Sequence, residues 1–457
     1  MRRFLFVLFF LLAAAALRGD DADRIRELEA KVRDLQTRVA ALEVQGPGEK
    51  TKEALAEIHR QIDVLTREIE NLKTAAPGTA APERPAGASG LGPAAAKVYE
   101  SSRGVSIGGY GEALYQKFAD SRQDGAPSGL QDRIDLARAV LYFGYRFDER
   151  FLLDSEIEYE HATTGTGDEQ KGEVSVEFAY LDWIGSRRLG VRAGLLLLPL
   201  GFLNEMHEPP TFLGARRPDT ESLLLPTTWS ELGLGVHGEA GGFSYRVYLV
   251  NGLDSRGFSA AAPIRGGRQE GSEAIAENFA VTGRLDYADV PGLLLGVSGY
   301  TGDSAQGATV DGEGFGGRVS LFDAHGEWRW RGLRVRALYV AGSIGDAAEI
   351  NAQNGLTGDA SVPSRFAGGY VEAGFDVLAG RSGRSSLLPF ARYERYNTQK
   401  RVPEGFAADP ANDVSLWTLG AVFQPIPPIA VKADYQIDHN GAKTGVNRFN
   451  LAVGYLF

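Results

Sequence analysis

The last eleven residues of the printed sequence, 447–457, place a large apolar side chain at every second position. Five apolar residues fall on one face of an extended strand: Phe449, Leu451, Val453, Tyr455 and Phe457. Strict alternation predicts a strand with one apolar and one polar face. The printed sequence stops on an aromatic residue, with no turn after it. Because the last strand of a closed barrel pairs with the first, this ending favours a closed barrel.

The same alternation recurs upstream, and from Val105 onward it divides the sequence into sixteen short segments. The expected strands are 105–118, 133–147, 151–161, 173–185, 189–199, 230–240, 243–251, 278–287, 292–300, 316–330, 333–342, 368–378, 386–398, 413–424, 429–439 and 447–457. Short connections alternate with long ones such as 200–229 and 252–277. Transmembrane barrels have this asymmetry, with tight periplasmic turns and long outer loops. We therefore expect an all-β fold, a sixteen-stranded antiparallel transmembrane β-barrel preceded by an α-helical coiled-coil segment.

The two faces of the expected strands differ in charge. In 429–439, for example, Val431 and Tyr435 oppose Lys432 and Asp434. A charge on the lipid-facing side of a barrel costs about 2–4 kcal/mol at the bilayer midplane. The charged faces are therefore expected to look into a wet lumen.

Composition excludes several other classes of function. The net charge is −11, so the chain does not have the basic surface of a nucleic-acid-binding protein. It contains no cysteine, which excludes disulfides and thiolate metal sites. We expect no metal or other cofactor and no catalytic residues.

Four regions are expected along the chain. Residues 1–19 read as a secretory signal peptide, with two arginines before a short apolar stretch and a cleavage point between about 13 and 22. Residues 20–74 are expected to form a periplasmic coiled coil. Residues 75–102 are rich in Ala, Pro and Gly and are expected to be a linker. The outer-membrane barrel is expected to occupy 103–457.

The coiled coil is predicted from two runs of apolar residues with 3,4 spacing. They are Ile25, Leu28, Val32, Leu35, Val39 and Leu42, and then Leu55, Ile58, Ile62, Leu65, Ile69 and Leu72. One interpretation is an oligomerisation stalk, and the other is a helical hairpin packed on itself. Ile and Val at the first seam position favour two strands, whereas a trimeric porin needs three.

The connection 200–230 is the candidate for setting selectivity. It combines apolar residues that need burial with dense charge, so we expect it to fold into the barrel and narrow it. Arg216 and Arg217 would then offer fixed positive charge to anions. Glu205, Glu208 and Phe212 are expected to anchor this loop. In the alternative interpretation, Arg216 and Arg217 pair with Glu205, Glu208 or Glu231 and only pin the loop.

The layout resembles the phosphate-selective porin O/P family of Gram-negative outer membranes, over about residues 101–457. The resemblance is carried by the order of several motifs: Arg133 and Arg138 in strand two, Pro199-Leu200-Gly201, Asn204-Glu205, Arg216-Arg217-Pro218, Phe390-Ala391-Arg392-Tyr393-Glu394 and Val431-Lys432-Ala433-Asp434-Tyr435-Gln436. It implies a trimeric sixteen-stranded channel with an inward third loop and a basic ladder in the lumen. Some members carry a periplasmic coiled coil.

Basic residues on the polar strand faces are the candidates for the pore lining and for anion binding. Besides Arg216 and Arg217, they are Arg138, Arg192, Arg246, Arg334, Arg336, Arg392 and Lys432. Inward acidic residues nearly balance them. Leu195, Leu196 and Leu197 also replace the Gln-Phe-Lys that the family often carries. Phosphate selectivity therefore does not follow from the sequence.

These observations predict an outer-membrane porin for passive diffusion of small polar or anionic solutes, with phosphate as one candidate. The expected partners are outer-membrane lipid and lipopolysaccharide, two further copies of the chain in a homotrimer, and peptidoglycan or another periplasmic contact through the coiled coil. Nucleic acid is not expected. Two alternatives are a structural barrel tethered through the coiled coil, and a hydrolase at the rim that uses His439 beside Asp438.

Overall fold

The computed structural model describes residues 90–101, 103–164, 172–381 and 384–457, and a few isolated positions before them. The chain divides into two units, Met1–Pro82 and Glu83–Phe457. In the first unit the described positions 30, 31, 34, 35, 37, 39 and 58 are helical, and Leu35 and Ile58 are buried. The predicted signal peptide, most of the predicted coiled coil and the linker up to residue 89 lie outside the described residues.

Sixteen strands of the second unit form one closed antiparallel barrel. They are Gly104–Phe118 (β1), Arg133–Arg146 (β2), Phe151–Glu160 (β3), Val174–Ser186 (β4), Leu189–Leu197 (β5), Ser230–Ala240 (β6), Phe243–Asn251 (β7), Phe279–Tyr287 (β8), Leu293–Gly302 (β9), Val319–Trp330 (β12), Leu333–Ile344 (β13), Arg365–Phe375 (β14), Ser386–Arg401 (β15), Asp413–Ile426 (β16), Ile429–Asn440 (β17) and Arg448–Leu456 (β18). Each strand pairs with its neighbours along the chain, and β1 pairs with β18. The predicted sixteen-stranded antiparallel barrel is confirmed.

The first and last strands close the barrel in a fixed register. Phe118 lies opposite Arg448, and Tyr110 lies opposite Leu456. Pairing continues to the final residue, because the backbone N–H of Phe457 donates to the carbonyl of Gly109 at 2.9 Å. The alternation seen in the last eleven residues thus becomes a strand without a free edge.

The strand faces separate as the alternation predicts. On β17, Tyr435 points outward and is 43% exposed, whereas Lys432 and Asp434 point inward and are 1% and 3% exposed. Apolar residues form most of the exposed outer face, among them Leu141, Phe143, Leu249, Val281, Phe322, Trp417 and Val453. In a transmembrane barrel this is the face that hydrocarbon covers.

The two ends of the barrel differ in their connections. The β2–β3, β4–β5, β6–β7, β8–β9, β12–β13, β14–β15 and β16–β17 connections lie at one end, together with the start of β1 and the end of β18. This is called the short-turn end, and the opposite end is the long-loop end.

The remaining elements are short. A two-stranded hairpin joins Thr309–Val310 (β10) to Glu313–Gly314 (β11), and the helices are Lys97–Glu100 (α1), Asp219–Leu223 (α2) and Ala347–Gln353 (α3). Single 3₁₀ turns occur at Pro209–Thr211, Ser255–Gly257, Arg265–Gly267, Gly358–Ala360 and Pro410–Asn412. Among the described residues, no helix has the length and the apolar character needed to cross a bilayer.

Candidate functional site

The inward face of the barrel carries the seven predicted basic residues, here called the wall cations: Arg138, Arg192, Arg246, Arg334, Arg336, Arg392 and Lys432. Six of the seven lie within 4 Å of a carboxylate. Arg192 contacts Asp182 at 3.1 Å, and Arg392 contacts Glu372 at 3.3 Å and Glu394 at 3.0 Å. These arginine charges are therefore locally neutralised.

Two carboxylates bring arginines together on neighbouring strands. Arg246 and Arg284 lie directly opposite each other on β7 and β8, which places like charges side by side. Asp286 contacts both, at 2.8 Å and 2.7 Å. Glu327 does the same on β12 and β13: it lies opposite Arg336 and contacts Arg336 at 2.6 Å, Arg334 at 3.2 Å and Arg329 at 2.5 Å.

The other two wall cations differ in their partners. Arg138 lies 3.5 Å from Glu158 and 3.7 Å from Glu112. Lys432 donates to the carbonyl of Gly214 at 3.0 Å and lies 3.6 Å from the centre of the Phe212 ring.

Most wall cations are buried, which differs from the expectation of a water-lined ladder. Arg392 is fully buried, and Lys432 and Arg336 are nearly so. The side chains that cover them come from the strands and from residues 200–229. The sequence could show that these residues face inward, but not what packs against them.

Residues 200–229, here called the constriction loop after their expected role, contact the inward residues of distant strands through their backbone. Wall carboxylates accept from loop N–H groups: Asp323 from Gly201 at 3.2 Å, Asp434 from Ala215 at 2.6 Å and Glu394 from Thr220 at 3.0 Å. Wall cations donate to loop carbonyls: Arg334 to Thr211 at 2.6 Å, Lys432 to Gly214 at 3.0 Å and Arg392 to Arg216 at 3.4 Å. Much of the wall charge therefore binds the loop backbone.

Aromatic residues of the loop lie among these charges. The Arg336 guanidinium lies 4.4 Å from the centre of the Phe202 ring, and the ring of His325 meets Phe202 edge to face at 4.9 Å. Phe212, a predicted anchor, is buried under Lys432. Cations over aromatic faces add attraction where water is excluded.

The predicted acidic anchors have separate partners. Glu205 lies 3.4 Å from Arg246 and 3.8 Å from Arg284. Glu208 accepts from the backbone N–H groups of Ala94 at 2.9 Å and Ala95 at 3.1 Å. Burial raises the pKa of the Glu208 carboxyl to about 7.

One anchor was missed by the sequence analysis. Glu221 accepts from the backbone N–H groups of Phe202 and Leu203, both at 2.8 Å, and from the Tyr370 hydroxyl at 2.6 Å. Little in the sequence pointed to Glu221, which is an acidic residue shortly before the apolar run Leu223 to Leu225.

Arg216 and Arg217 differ from the wall cations. In the described part of the chain neither has a carboxylate within 4 Å. Arg217 donates to the Thr227 hydroxyl and to the carbonyl of His207, both at 3.4 Å. Burial, together with the neighbouring charge of Arg448, lowers the pKa of Arg216. The alternative pairing is not what the structure has, because Glu231 binds Trp229, Asn251 and Gln269 instead.

Two further arginines, missed by the sequence analysis, lie beside Arg217. Arg265 and Arg268, from the connection between β7 and β8, donate to the Thr227 carbonyl at 3.5 Å and 3.4 Å. Burial and the charges of Arg268 and Arg217 lower the pKa of Arg265 to about 10. Arg268 has an acidic partner, Glu270, at 2.9 Å. We call Arg216, Arg217, Arg265 and Arg268 the loop arginines.

Neither His439 nor His325 lies in a catalytic arrangement among the described residues. His439 is exposed, and His325 contacts Asp323 at 2.6 Å and Asp286 at 3.1 Å inside the barrel. Ser298 also donates to Asp323. The carboxylate thus lies between serine and histidine, where the histidine cannot take the serine proton. In the described chain, no three acidic or histidine side chains converge to hold a metal ion.

The fold has relatives among solved structures. Salmonella typhi OmpF, in complex with daunomycin, aligns with a TM-score of 0.52 and 13% identity over 79% of this chain and 99% of that chain. A weaker likeness, with a TM-score of 0.43 and 10% identity over 77% of this chain and 99% of that chain, is to the anion-selective porin from Comamonas acidovorans. The OmpF likeness shows that this is a porin-type barrel fold.

No family model matches the chain. An uncharacterized protein of Aquifex aeolicus strain VF5 is 39% identical over 375 residues, which cover 80% of this chain and 83% of that protein. The chain therefore belongs to the same family as this Aquifex aeolicus protein.

Proposed function

We propose that the protein is an outer-membrane porin for passive diffusion of small polar or anionic solutes. The short-turn end would face the periplasm, as tight turns do in such barrels. One observation carries the preference for anions: Arg216, Arg217 and Arg265 have no carboxylate within 4 Å in the described chain, whereas nearly every wall cation has one. Unpaired fixed charge of one sign is what selects ions in a narrow pore.

The proposed selectivity is moderate. The wall pairs contribute little net charge, and inward carboxylates such as Asp434 and Glu221 are bound by neutral groups only, so they oppose the field of the loop arginines. Phosphate is one candidate solute, since arginine binds phosphate oxygens in a bidentate way. The constriction loop would set the size limit.

The test is the zero-current potential of single channels in a planar bilayer under a KCl gradient. The native chain should prefer anions, and replacing both residues in Arg216→Ala with Arg217→Ala should shift the potential toward cations. The charge-preserving pair Arg216→Lys with Arg217→Lys is the matched control and should leave its sign unchanged. Strong cation selectivity of the native chain would refute the proposal.

A structural barrel tethered through the N-terminal segment is the second candidate, and the burial of the wall cations favours it. This candidate gives no ion current in any variant, so the same recordings separate the two. The rim hydrolase has no supporting geometry at His439.

The proposed assembly is a homotrimer in contact with outer-membrane lipid and lipopolysaccharide, with residues 20–74 as a periplasmic coiled coil. Support comes from the sequence resemblance and from the 3,4 spacing of the N-terminal segment. Cross-linking of the refolded protein, with and without residues 20–74, measures both the number of copies and the part that the coiled coil plays.

A further inference from the structure

Residues 91–101, expected from composition to end a linker, lie inside the short-turn end of the barrel. A turn at 93–96 leads into α1, and the side chains of Leu91, Ala94, Ala95, Ala96 and Val98 are buried. They belong to the same apolar cluster as Tyr142 and Leu152 of the barrel wall. The segment thus occupies part of the mouth.

The wall carries glycine where this segment comes closest. A Cβ atom on Gly108 would lie 2.7 Å from the carbonyl oxygen of Ala94, and one on Gly144 would lie 2.5 Å from the Cβ of Val98. Real Cβ atoms do not approach so closely. Gly108 and Gly144 therefore leave a depression in the barrel wall that holds the segment, here called the seat. The side chain of any larger residue at either position would fill it.

Polar contacts hold the segment at three points. Glu208 of the constriction loop accepts from the N–H groups of Ala94 and Ala95. The Tyr99 hydroxyl donates to Asp182 at 2.6 Å and accepts from Arg192 at 2.9 Å. The Arg146 side chain of β2 donates to the carbonyl of Tyr99 at 3.2 Å. The segment therefore joins the wall to the loop that is proposed to set the constriction.

None of these contacts is a backbone-to-backbone hydrogen bond between the segment and a strand. The backbone hydrogen bonds of the segment are internal, from Ala96 to Gly92 at 2.9 Å and from Tyr99 to Ala96 at 3.0 Å. Within the described residues, no backbone-to-backbone bond joins 91–101 to a strand. Gly104, where β1 begins, has a φ of 91° and free space around its missing Cβ. The segment can leave without breaking the barrel.

A cavity of about 550 Å³ lies beside the segment at the same end. Tyr99 forms part of its lining, and Met206, Arg246, Arg284 and Leu294 line it as well. Moving the segment away would join its space to this cavity and widen the mouth.

We propose that residues 91–101 are a displaceable plug, and that the channel reaches its full conductance only when the plug leaves the short-turn mouth. This goes beyond the proposed function, because a permanently open porin needs neither the seat nor the contact with Glu208.

Single-channel conductance of the full chain tests the obstruction. In one variant, residues 91–101 are replaced by a Gly/Ser sequence of the same length, which keeps the length of the connection to the N-terminal unit. The matched control carries the same replacement at residues 79–89. The first variant should conduct several-fold better than the native chain, and the control should equal the native chain. Equal conductance of all three would overturn the plug.

Thiol labelling tests displacement without relying on conduction. The native chain has no cysteine, so Val98→Cys offers one reporter to a bulky maleimide. It should react slowly in the native background and several-fold faster with Gly144→Ala, which fills the seat. The control Gly374→Ala, an inward glycine beside Leu213 of the constriction loop, should not change the rate.

The outcomes separate the two proposals. Labelling that is equally fast with and without Gly144→Ala would mean that the seat does not hold the segment. Complete protection in both would mean that the segment never leaves. Either result overturns the plug. If no variant conducts, the proposed channel function fails, while the labelling rates still decide whether the segment moves.

Discussion

Arginines of the barrel wall and arginines of the long loops are held in opposite ways. Arg192, Arg336 and Arg392 are buried and sit against carboxylates of the same or neighbouring strands. Arg216 and Arg217 are half-buried and have only neutral partners or none within contact distance in the described chain. The same residue type therefore stabilises the structure at one place and leaves an uncompensated charge at the other.

The difference has an electrostatic reason. A buried ion needs a partner, because desolvating an unpaired charge costs several kcal/mol. A half-buried arginine keeps part of its hydration and can stay unpaired at smaller cost. Wall arginines should consequently control the stability of the barrel, and loop arginines should control its selectivity.

The largest expected effect is on stability, from Glu327→Gln. This change leaves Arg329, Arg334 and Arg336 without their shared carboxylate, and breaking a buried ion pair costs about 3–5 kcal/mol. The free energy of unfolding in urea, measured in lipid vesicles, should fall by this amount. Glu313→Gln, on the exposed β10–β11 hairpin, is the matched control and should change little. A fall of less than 1 kcal/mol for Glu327→Gln would contradict the view that the wall arginines control the stability of the barrel.

The second effect concerns the plug and pH. Burial raises the pKa of Glu208 to about 7, whereas a solvated carboxyl has its ordinary value of 4.5. Departure of the segment is expected to expose Glu208 to water, and burial outweighs the opposing effect of the Ala94 and Ala95 N–H groups on its pKa. The protonated carboxyl therefore favours the plugged form, so that plugging is strongest below pH 4.5 and weakens as the pH rises toward 7. We expect the plugging equilibrium to weaken by up to roughly tenfold per pH unit between pH 5 and pH 7 and then to level off, so that conductance increases over this range.

Three other groups act electrostatically on Glu208 or are acted on by it: His207, Glu156 and Tyr142. Burial, with the charge of Arg217, lowers the pKa of His207 to about 4, so that His207 stays neutral over this pH range. Glu208→Gln should remove most of this pH dependence of the conductance between pH 5 and pH 8. An unchanged pH profile in that variant would assign the effect to other groups.

Much of the fold could be predicted from the sequence, because alternation along a strand is a local signal. In β18, for example, the apolar Phe449 marks the outer face and the neighbouring Arg448 marks the inward face. The burial of Phe202 and Phe212 was also predictable, since these side chains need burial that a solvent-exposed loop cannot give.

The rest depends on register and on distant contacts. Glu327 contacts Arg336 because the turn at Arg331-Gly332 places them opposite each other. This pairing can be deduced only once the position of the turn is known. Residues 91–101 have the composition of a linker. Their burial depends on Glu208 and Asp182, which lie about 80 to 115 residues away.

A smaller effect is expected when a wall pair is neutralised as a unit. Arg138→Gln with Glu158→Gln removes one charge of each sign at 3.5 Å, so the net field in the pore should not change. The zero-current potential in a KCl gradient should match that of the native chain. The single change Arg138→Gln is the control, and it should move the potential toward cations. A large shift in the double variant would show that wall charges also select ions.

The smallest effect is expected for an arginine outside both groups. Arg187, in the β4–β5 turn, pairs with Glu239 at 3.2 Å, and its side chain is 76% exposed. Exposed ion pairs contribute little, because water and salt screen them and both side chains lose freedom. Arg187→Ala should therefore change the free energy of unfolding by less than about 0.5 kcal/mol, and it should leave the zero-current potential unchanged. A loss comparable to that of Glu327→Gln would show that pairing alone, without burial, determines how much an arginine stabilises this barrel.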